Sequence, residues 1–546
     1  MIHDLWYKNA VVYSLDVETY LDANGDGWGD FEGLSRRLDY LEALGIDAVW
    51  LAPFQPSPRR DDGYDISDYY AVDPRLGSGG DFVEFMREAD SRGIRVLIDL
   101  VVNHTSNQHR WFREARRPGS PLHDWYVWSQ KRPRNWRSGV VFPGAQRATW
   151  SFDRQAGEYF FHRFFDFQPD LDMDNPRVRE EVRRVMGFWL QLGVAGFRVD
   201  AVPFVLEKPP RGRGRRIHFE YLKEFRDFLQ WRVGDAVLLG EANVLPRESS
   251  AYFADDDGLH MMFNFWVNQH LFLALAAADA RPLAAALQAT RKLPPTAQWA
   301  HFLRNHDELD LGRLRPDERK LVFAEFGPEP SMQLYGRGIR RRPAPMLGEL
   351  RRLRLAYSMV LSLPGTPVLR YGDEIGMGEN LRLKQRAAIR TPMQWSSEAN
   401  AGFSQAEKLV RPVVSDGTFA YEHVNVEQQQ RDPESLLRWI ERMIQLRKQC
   451  PEIGWGDWRI VPTGARSVLA LAYEWRSNMI VCVHNLAAEP REARLRLGGG
   501  VLANLIEVEE IESGPAGVHR VPLEAYGYRW FRRGGHSQAL VRDVIG

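Results

Sequence analysis

The sequence has few cysteines, no excess of charge of either sign and no long apolar run. Only Cys450 and Cys482 occur among its 546 residues, so a disulfide framework is not expected. Lys plus Arg and Asp plus Glu each number 72, which removes the long-range field that nucleic acids and anionic membranes usually require. No stretch of about 18 apolar residues occurs, which argues against a transmembrane helix. We therefore predict a soluble, cytoplasmic protein without nucleic-acid or membrane partners.

Nucleotide-binding motifs are also missing. Neither a G-x-G-x-x-G sequence nor a P-loop occurs, so nothing supports an open, doubly wound nucleotide-binding sheet. The basic runs at residues 211–216 and 340–343 lack the spacing of a nucleic-acid motif, and we expect both to be solvated or pocket-lining loops.

The chain does contain a regular alternation of strand-like and helix-like segments. Leu34, Leu38, Leu41 and Leu44 recur at helical spacing, and Gly45 follows as a C-cap. Each strand-like segment is short and apolar, as expected for a parallel strand that is covered on both faces. Eight such segments predict a (β/α)₈ barrel, with the open sheet as the alternative: residues 10–17, 46–54, 95–104, 195–202, 236–243, 259–265, 299–308 and 366–374.

Two regions interrupt or follow this alternation. Residues 105–175, between the third and fourth strands, are rich in Trp, Arg, Pro and Gly and predict a small inserted domain. From residue 453 to 546 the apolar residues alternate with period two, which is typical of an antiparallel β-sandwich. The barrel then comprises residues 1–104 and 176–452. A further long segment, 309–350, follows the seventh strand.

Charged side chains follow or interrupt the apolar strands. In "GVAGFRVDAV" (193–202), Arg198 and Asp200 share one face of a strand, which is costly unless they are paired and used. They could be a buried structural ion pair. Polar groups also lie near other strand ends, however, and the C-terminal mouth of a barrel is where active sites are built. The others are Asp22, Asn103, His104, Glu241, His306, Asp307, Asp373 and Glu374.

Two carboxyl groups of unequal acidity are what glycoside cleavage needs. One must be ionised to attack the anomeric carbon, and the other must hold a proton for the leaving oxygen. Asp200 suits the first task, because Arg198 would keep it ionised. Glu241 suits the second, because burial after an apolar strand raises a carboxyl pKa. Asp307 could bind sugar hydroxyls and hold the ring distorted.

Four segments carry a family resemblance. "VVNHTS" (101–106), "GFRVDAV" (196–202), "GEAN" (240–243) and "FLRNHDE" (302–308) resemble the signature segments of the α-amylase superfamily in order and spacing. Longer stretches, including "DGYDISDY" and "RTPMQW", are most similar to its trehalose synthase branch. The resemblance implies a retaining mechanism with Asp200 as nucleophile, Glu241 as acid/base and Asp307 as transition-state stabiliser.

The resemblance also implies a set of substrate-binding residues. His104, Arg198 and His306 match residues around the first sugar subsite, and Tyr64 matches an aromatic platform. Asp65 matches a carboxylate that holds terminal hydroxyls and pairs with an arginine, here Arg390. That pair would close one end of the site and restrict action to terminal glucose.

The implied activity is the interconversion of maltose and trehalose through a glucosyl-enzyme, with the released glucose retained and re-attached. A hydrolytic α-glucosidase is the alternative within the enzyme class, and a catalytically inactive sugar-binding barrel is the non-enzymatic one. The isomerase must exclude water from the glucosyl-enzyme, whereas the hydrolase admits water as the attacking group. Three features depart from the trehalose synthase pattern, and we expect them near the acceptor side or its supports: "SLDVETY" in the first strand, Arg370 before "YGDE", and "KQRAAI" before "RTPMQW".

One loop is a candidate structural Ca²⁺ or Mg²⁺ site. "DANGDGWGD" offers Asp22, Asn24, Asp26 and Asp30 as oxygen ligands, although Gly33 replaces the final Glu of an EF-hand. The alternative is an ordinary Asn/Asp/Gly-rich turn. The family resemblance implies a second set, Asn103, Asp174 and Glu207. It also implies a homodimer; no organic cofactor is expected.

Overall fold

A closed barrel of eight parallel strands forms the centre of the computed structural model, which describes residues 3–207 and 217–534. Each strand pairs in parallel with the next along the chain, and the last pairs with the first. The predicted barrel is confirmed. Its strands are Val12–Leu15 (β1), Ala48–Leu51 (β2), Arg95–Leu100 (β3), Gly196–Val199 (β4), Val237–Gly240 (β5), Met261–Phe263 (β6), Gln298–His301 (β7) and Thr366–Arg370 (β8).

Amphipathic helices cover the outside of the barrel. Their apolar faces pack on the strands, and Gly45 ends its helix in the left-handed conformation at φ 86°, as its position predicts. The helices in the barrel region are Phe31–Ser35, Leu38–Leu44, Gly79–Ser91, Pro176–Gln191, Val202–Leu206, Glu220–Arg232, Pro246–Phe253, Phe265–Ala277, Arg281–Ala289, Pro316–Phe326, Pro343–Leu347, Leu350–Ser362, Val426–Arg431, Leu436–Lys448 and Glu452–Trp455.

Short 3₁₀ turns complete the helical structure: His3–Lys8, Val17–Thr19, His123–Trp125, Ala254–Asp256, Pro330–Met332, Gln385–Ile389, Ala399–Gly402, Gly417–Phe419 and Pro515–Gly517. The described residues include no helix with both the length and the apolar character to cross a membrane.

The segment between β3 and β4 forms its own small sheet. Glu158–Phe161 pairs antiparallel with Trp128–Ser129 on one side and with Trp150–Asp153 on the other, and the helix Arg110–Ala115 precedes them. The segment is tied to the barrel where Leu171 N donates to Asn103 O at 2.9 Å. An inserted small domain therefore lies beside the C-terminal end of β3; its limits of 105 and 175 stay a prediction.

The segment after β7 contains a small sheet and a buried arginine. It contains the three-stranded sheet Gln333–Leu334, Gly338–Ile339 and Leu309–Asp310. Arg342, predicted to lie in a solvated or pocket-lining loop, is 2% exposed and bonds Tyr371 O at 2.8 Å. The expectation is wrong there because buried carbonyl and carboxylate acceptors surround the guanidinium. The run 211–216 lies outside the described residues.

The C-terminal region consists of antiparallel strands, as predicted. A six-stranded sheet and a two-stranded ribbon are present, and the larger sheet packs on the helix Leu350–Ser362. The sheet contains, in spatial order, Asp457–Ile460, Val468–Trp475, Asn478–Asn485, Tyr528–Arg533, Val501–Asn504 and Glu510–Glu512; the ribbon pairs Arg491–Arg496 with Val518–Leu523.

Candidate active site

One buried guanidinium gathers three carboxylates at the C-terminal mouth of the barrel. Arg198, on β4, is 1% exposed. Its Nη1 lies 2.6 Å from Asp99 Oδ1 and 2.7 Å from Asp200 Oδ1, and its Nη2 lies 2.7 Å from Glu241 Oε2. The strand register creates this cluster, because Asp99 on β3 is the cross-strand partner of Arg198.

Asp200 and Glu241 therefore meet at one place, as the sequence analysis requires. Both bind the same guanidinium, and Glu241 Oε2 also accepts the backbone N–H of Ala201 at 3.0 Å. Ala201 adopts a left-handed conformation at φ 48°, which turns the chain sharply just after Asp200. Two carboxyl groups that share one guanidinium lie near enough to act on one anomeric centre.

Burial dominates the acidity of this pair. It raises the pKa of Glu241 to about 7, against the opposing charge of Arg198. It also raises the pKa of Asp200 to about 6, and the negative charges of Asp99 and Asp307 add to that effect. Asp200 is still mostly ionised at pH 7, although it shares the Arg198 cation with two other buried acids.

Asp307 is in the opposite electrostatic situation. Its Oδ1 lies 2.9 Å from Arg386 Nη1 and 3.0 Å from Arg390 Nη2. Burial raises its pKa, but the Arg386 guanidinium and the other nearby cationic groups outweigh burial and hold the pKa below its ordinary value. Asp307 is thus an anion at neutral pH, which suits the predicted stabilisation of positive charge on the sugar.

Two neutral histidines and one tyrosine complete the floor of the site. Tyr64 stacks on His306 with ring centroids 5.4 Å apart, and its hydroxyl lies 2.7 Å from His306 Nε2. His104 Nε2 lies 3.0 Å from Tyr64 O. Burial lowers the pKa of His104 to about 4 and that of His306 well below its ordinary value, so both act as neutral hydrogen-bonding groups.

Asp65 does not lie where the sequence analysis placed it. Its carboxylate accepts from Ser57 Oγ at 2.8 Å and from the backbone N–H groups of Arg60 and Asp61, and it does not border the cavity described below. The carboxylate that pairs with Arg390 is Asp62. Alternation along "DDGYD" gives no way to tell which of three nearby aspartates faces inward.

Asp61 borders the cavity instead. It accepts a hydrogen bond from Gln168 Nε2, in the inserted segment, at 2.9 Å. Burial raises the pKa of Asp61 to about 6. Asp61 is therefore the aspartate of this loop that is placed to meet a bound sugar.

The first strand also ends differently from the prediction. β1 ends at Leu15, so the carboxylate at its C-terminal end is Asp16 and not Asp22. Asp16 Oδ2 lies 2.5 Å from Arg370 Nη2. Burial raises the pKa of Asp16, but the Arg370 and Arg390 guanidinium groups outweigh burial and hold the pKa below its ordinary value. Two of the departures from the trehalose synthase pattern, in the first strand and at Arg370, therefore contact each other. Their position relative to the acceptor sugar stays a prediction.

The two acids after β8 are structural. Asp373 pairs with Arg342 at 3.3 Å. Glu374 Oε1 accepts the hydroxyls of Tyr13 and Tyr40, both at 2.7 Å. Neither borders the cavity, so the predicted ring of polar strand ends is incomplete at β8.

The mouth of the barrel opens into a cavity of about 860 Å³, which is large enough for a disaccharide. One side carries the ionisable groups and the other is aromatic, with Phe142 stacked on Phe164 at 5.7 Å. Arg386 lies over the Phe142 ring at 4.9 Å and joins the two sides. Lining residues that bear on the chemistry are Asp61, Tyr64, His104, Asp200, Glu241, Asn243, His306, Asp307 and Arg386.

The candidate metal loop is satisfied by its own backbone. Asp22 accepts from Gly25 N at 2.7 Å and Gly27 N at 2.8 Å, and Asp30 accepts from Gly33 N at 2.6 Å. Asn24 and Asp26 accept from the backbone N–H groups two residues ahead of them. Throughout residues 3–207 and 217–534, no group of three His, Cys, Asp or Glu side chains is placed to hold a metal ion.

These contacts are those of an Asx-rich turn, and each carboxylate oxygen keeps a further lone pair that a cation could use. The members of the second set each have other contacts. Asn103 bonds His104, Asp174 accepts from Tyr221 Oη at 2.6 Å, and Glu207 borders the cavity. Metal binding at both places stays a prediction, which direct metal analysis of the purified protein would decide.

Comparison with known proteins agrees with this geometry. The family model of the α-amylase catalytic domain matches residues 17–321 and 342–456, and that of a sucrose hydrolase-like C-terminal domain matches residues 478–532. The chain therefore belongs to the α-amylase family of retaining glycosidases and transglycosylases.

Within this family, the similar curated proteins include trehalose synthases. The chain is 39% identical to the trehalose synthase of Pimelobacter sp. and covers 96% of its length. It is 43% identical to the trehalose synthase of Thermus thermophilus, but spans only 55% of that longer protein. Among solved structures, the trehalulose synthase of Pseudomonas mesoacidophila superposes with a TM-score of 0.78 at 26% identity, over 97% of this chain and 99% of that one.

Proposed function

We propose that this protein interconverts maltose and trehalose by transferring one glucosyl group within this site. The observation that carries the proposal is the meeting of Asp200, Glu241 and Asp307 in one cavity, within a chain about 40% identical to trehalose synthases along nearly its whole length. The chain spans only 55% of the Thermus thermophilus relative, so the proposal does not extend to any activity of the additional region of that protein.

The reaction divides between the carboxyl groups by their acidity. Asp200 attacks the anomeric carbon as an anion, while Glu241 gives its proton to the glycosidic oxygen and glucose leaves. The anionic Asp307 stabilises the positive charge that develops on the ring. Glu241 then takes a proton from the hydroxyl of the retained glucose that attacks the glucosyl-enzyme, which releases Asp200.

The Arg390–Asp62 pair explains the preference for a terminal glucose. Arg390 is 3% exposed, bonds Asp62 on one side and reaches Asp307 at 3.0 Å on the other. This pair lies directly behind Asp307, so it would close the site beyond a glucose ring that is bound there. Such a pocket selects disaccharides and chain ends.

Product analysis tests the proposal. The protein is incubated separately with maltose and with trehalose, and the sugars are separated chromatographically with Asp200→Asn as the inactive control. We expect each disaccharide to yield the other, with only a small fraction of free glucose. Glucose as the sole product from both would replace the isomerase by a hydrolase.

Hydrolysis is the second candidate function. Relatives from Mycobacterium tuberculosis at 40% identity carry the name trehalose synthase/amylase, so a minor release of glucose accompanies the proposal. We also propose a homodimer. Analytical ultracentrifugation at two protein concentrations would measure the molecular mass and so test the proposal.

A further inference from the structure

Asp62 lies between two arginines, and only one of them reaches the catalytic groups. Its Oδ2 accepts from Arg390 Nη1, and its Oδ1 accepts from Arg411 Nη2 at 2.7 Å. Arg390 in turn bonds Asp307 Oδ1 at 3.0 Å and His306 O at 2.8 Å. Asp62 therefore links Arg411 to Asp307 through a single intervening guanidinium.

Arg411 is itself enclosed by charge. Its Nη1 lies 2.8 Å from Glu18 Oε1 and donates to Arg390 O at 3.1 Å. Glu18 is also paired with Arg59, and both Glu18 and Arg411 are nearly buried. Loss of Arg411 would leave two buried carboxylates with one cation each and would release the Arg390 carbonyl, which favours rearrangement of the Arg390–Asp62 pair.

The segment that carries Arg411 has no regular secondary structure to hold it in place. Residues 404–416 contain neither helix nor strand. The Asp- and Gly-rich loop 22–30 holds this segment instead: Val410 N donates to Gly27 O at 2.8 Å, and Ser404 Oγ donates to Asp22 Oδ2 at 2.5 Å. The loop 22–30, which was predicted to bind a metal, thus holds the segment that carries Arg411.

Gly27 is the point of closest approach between the loop and the segment. A Cβ atom there would lie 2.0 Å from the Lys408 carbonyl oxygen, and its φ is 92°. Gly25, two residues earlier, has a φ of 80°, and a Cβ atom added to it would have no neighbour within 4 Å. Replacing either glycine therefore strains the backbone, but only a substitution at Gly27 also clashes with Lys408.

We propose that Arg411 is a positioning residue for the glucose-binding end of the site, and that the loop 22–30 is the support that holds it there. Arg411 touches no reacting atom. It fixes Asp62, and Asp62 fixes the guanidinium that orients Asp307. The proposal rests on the proposed function only in requiring that terminal glucose binds beside Asp307, and not on which product forms.

Arg411→Leu tests the first part, with two readouts: the dissociation constant for glucose by calorimetry, and kcat and KM for release of p-nitrophenol from its α-glucoside. We expect kcat/KM to fall by about 10²-fold, since small displacements of catalytic groups cost that much. Glucose affinity should fall as well. Arg411→Lys should recover part of both, because the charge is kept.

Arg352→Leu is the matched control. Arg352 is similarly buried, pairs with Glu325 at 2.7 Å and bonds Leu275 O, away from the cavity. We expect a comparable loss of Tm with unchanged kcat/KM and glucose affinity. An Arg411→Leu protein with a lower Tm but wild-type kcat/KM and glucose affinity would overturn the proposal, because the residue would then be only structural.

Coupling tests the route through Asp62. If Arg411 acts through Asp62, Asp62→Asn combined with Arg411→Leu should be no worse than Asp62→Asn alone. Additive losses in kcat/KM and in glucose affinity would show an independent action and reject the route.

Gly27→Ala and Gly25→Ala test the supporting loop. Both variants should lower Tm, but only Gly27→Ala should lower kcat/KM and glucose affinity in the manner of Arg411→Leu. Equal effects of the two would reject the role of the loop. A wild-type protein that binds glucose and releases nitrophenol without interconverting disaccharides would disprove the proposed function and leave these comparisons intact.

Discussion

The arrangement around Arg198 explains how Asp200 and Glu241, the proposed catalytic carboxyl groups, can differ in protonation at the same pH. Asp99, Asp200 and Glu241 all bond this guanidinium, which can neutralise only one of them. The remaining negative charge disfavours ionisation of the acid with the highest pKa, Glu241. The cluster therefore stores one proton where the leaving oxygen needs it.

This proton distribution predicts a narrow, bell-shaped pH dependence. Burial raises the pKa of Asp200 to about 6, so the rate falls below that pH as the nucleophile becomes protonated. Burial raises the pKa of Glu241 to about 7, so the rate falls above that pH as the acid loses its proton. We expect kcat/KM for trehalose to be greatest between these values. The apparent pKa values of the acidic and alkaline limbs of the profile describe the interacting carboxyl groups together and not one residue each.

Glu241→Gln separates the two limbs. Removing a general acid costs about 10²–10⁴-fold in rate on a natural disaccharide. An α-glucosyl fluoride needs no proton on its leaving group, so we expect it to be cleaved far better than trehalose by this variant. The pH profile for fluoride release by Glu241→Gln should lack the fall at alkaline pH and keep the fall at acidic pH. An unchanged alkaline limb would assign that limb to another group.

Part of this site can be predicted from single residues in apolar surroundings. Arg198 and Asp200 stand out because charge interrupts a buried strand, and Asp99 in "RVLIDL" carries the same signal, although the sequence analysis does not include it. Arg411 and Asp62 carry no such signal. They lie in loops 349 positions apart in the chain, and their pairing depends on how those loops pack.

At the scale of elements, the strands are more predictable than the connections. All eight barrel strands lie within or at the ends of the apolar segments chosen from the sequence, because burial on both faces demands continuous apolar runs. Strand ends are less certain, and the prediction that Asp22 ends β1 is wrong. Polar loops can continue a strand pattern for several residues without any change in composition.

The glycine that opens β4 shows how an element fixes the site. Gly196 has a φ of 143°, and a Cβ atom there would lie 2.2 Å from the Val237 carbonyl oxygen of β5. Gly196→Ala must push apart the strands that carry Asp200 and Glu241. We expect a loss of about 3 kcal/mol in unfolding free energy from overpacking and backbone strain together.

Gly93→Ala is the control for backbone strain alone. Gly93 has a φ of 69° and no atom within 4 Å of the added carbon, so we expect a loss of about 1 kcal/mol. Thermal scans at one fixed rate measure both variants. Equal shifts in Tm would mean that β4 and β5 separate without cost.

At the scale of the whole molecule, the barrel and the C-terminal sheet share one core. Trp530 Nε1 donates to Ser358 Oγ at 3.0 Å, and His484 Nε2 lies 3.0 Å from the same oxygen, with all three residues fully buried. Apolar residues of the sheet, including Leu471 and Ile480, belong to the same packed cluster as the barrel helices. The sheet therefore completes the burial of the helix Leu350–Ser362, which leads into β8.

A chain that ends at residue 452 should consequently fail to fold as an isolated barrel. It would expose one face of the helix Leu350–Ser362 and leave Ser358 without either buried partner. A contiguous apolar face that loses its partner is a site for aggregation and dye binding. We expect the shortened protein to bind a hydrophobic dye strongly and to lose its cooperative thermal transition, whereas the full chain unfolds in one step. A shortened protein with the Tm and glucose affinity of the full chain would show that the barrel closes without its neighbour, and that the shared core only attaches the sheet.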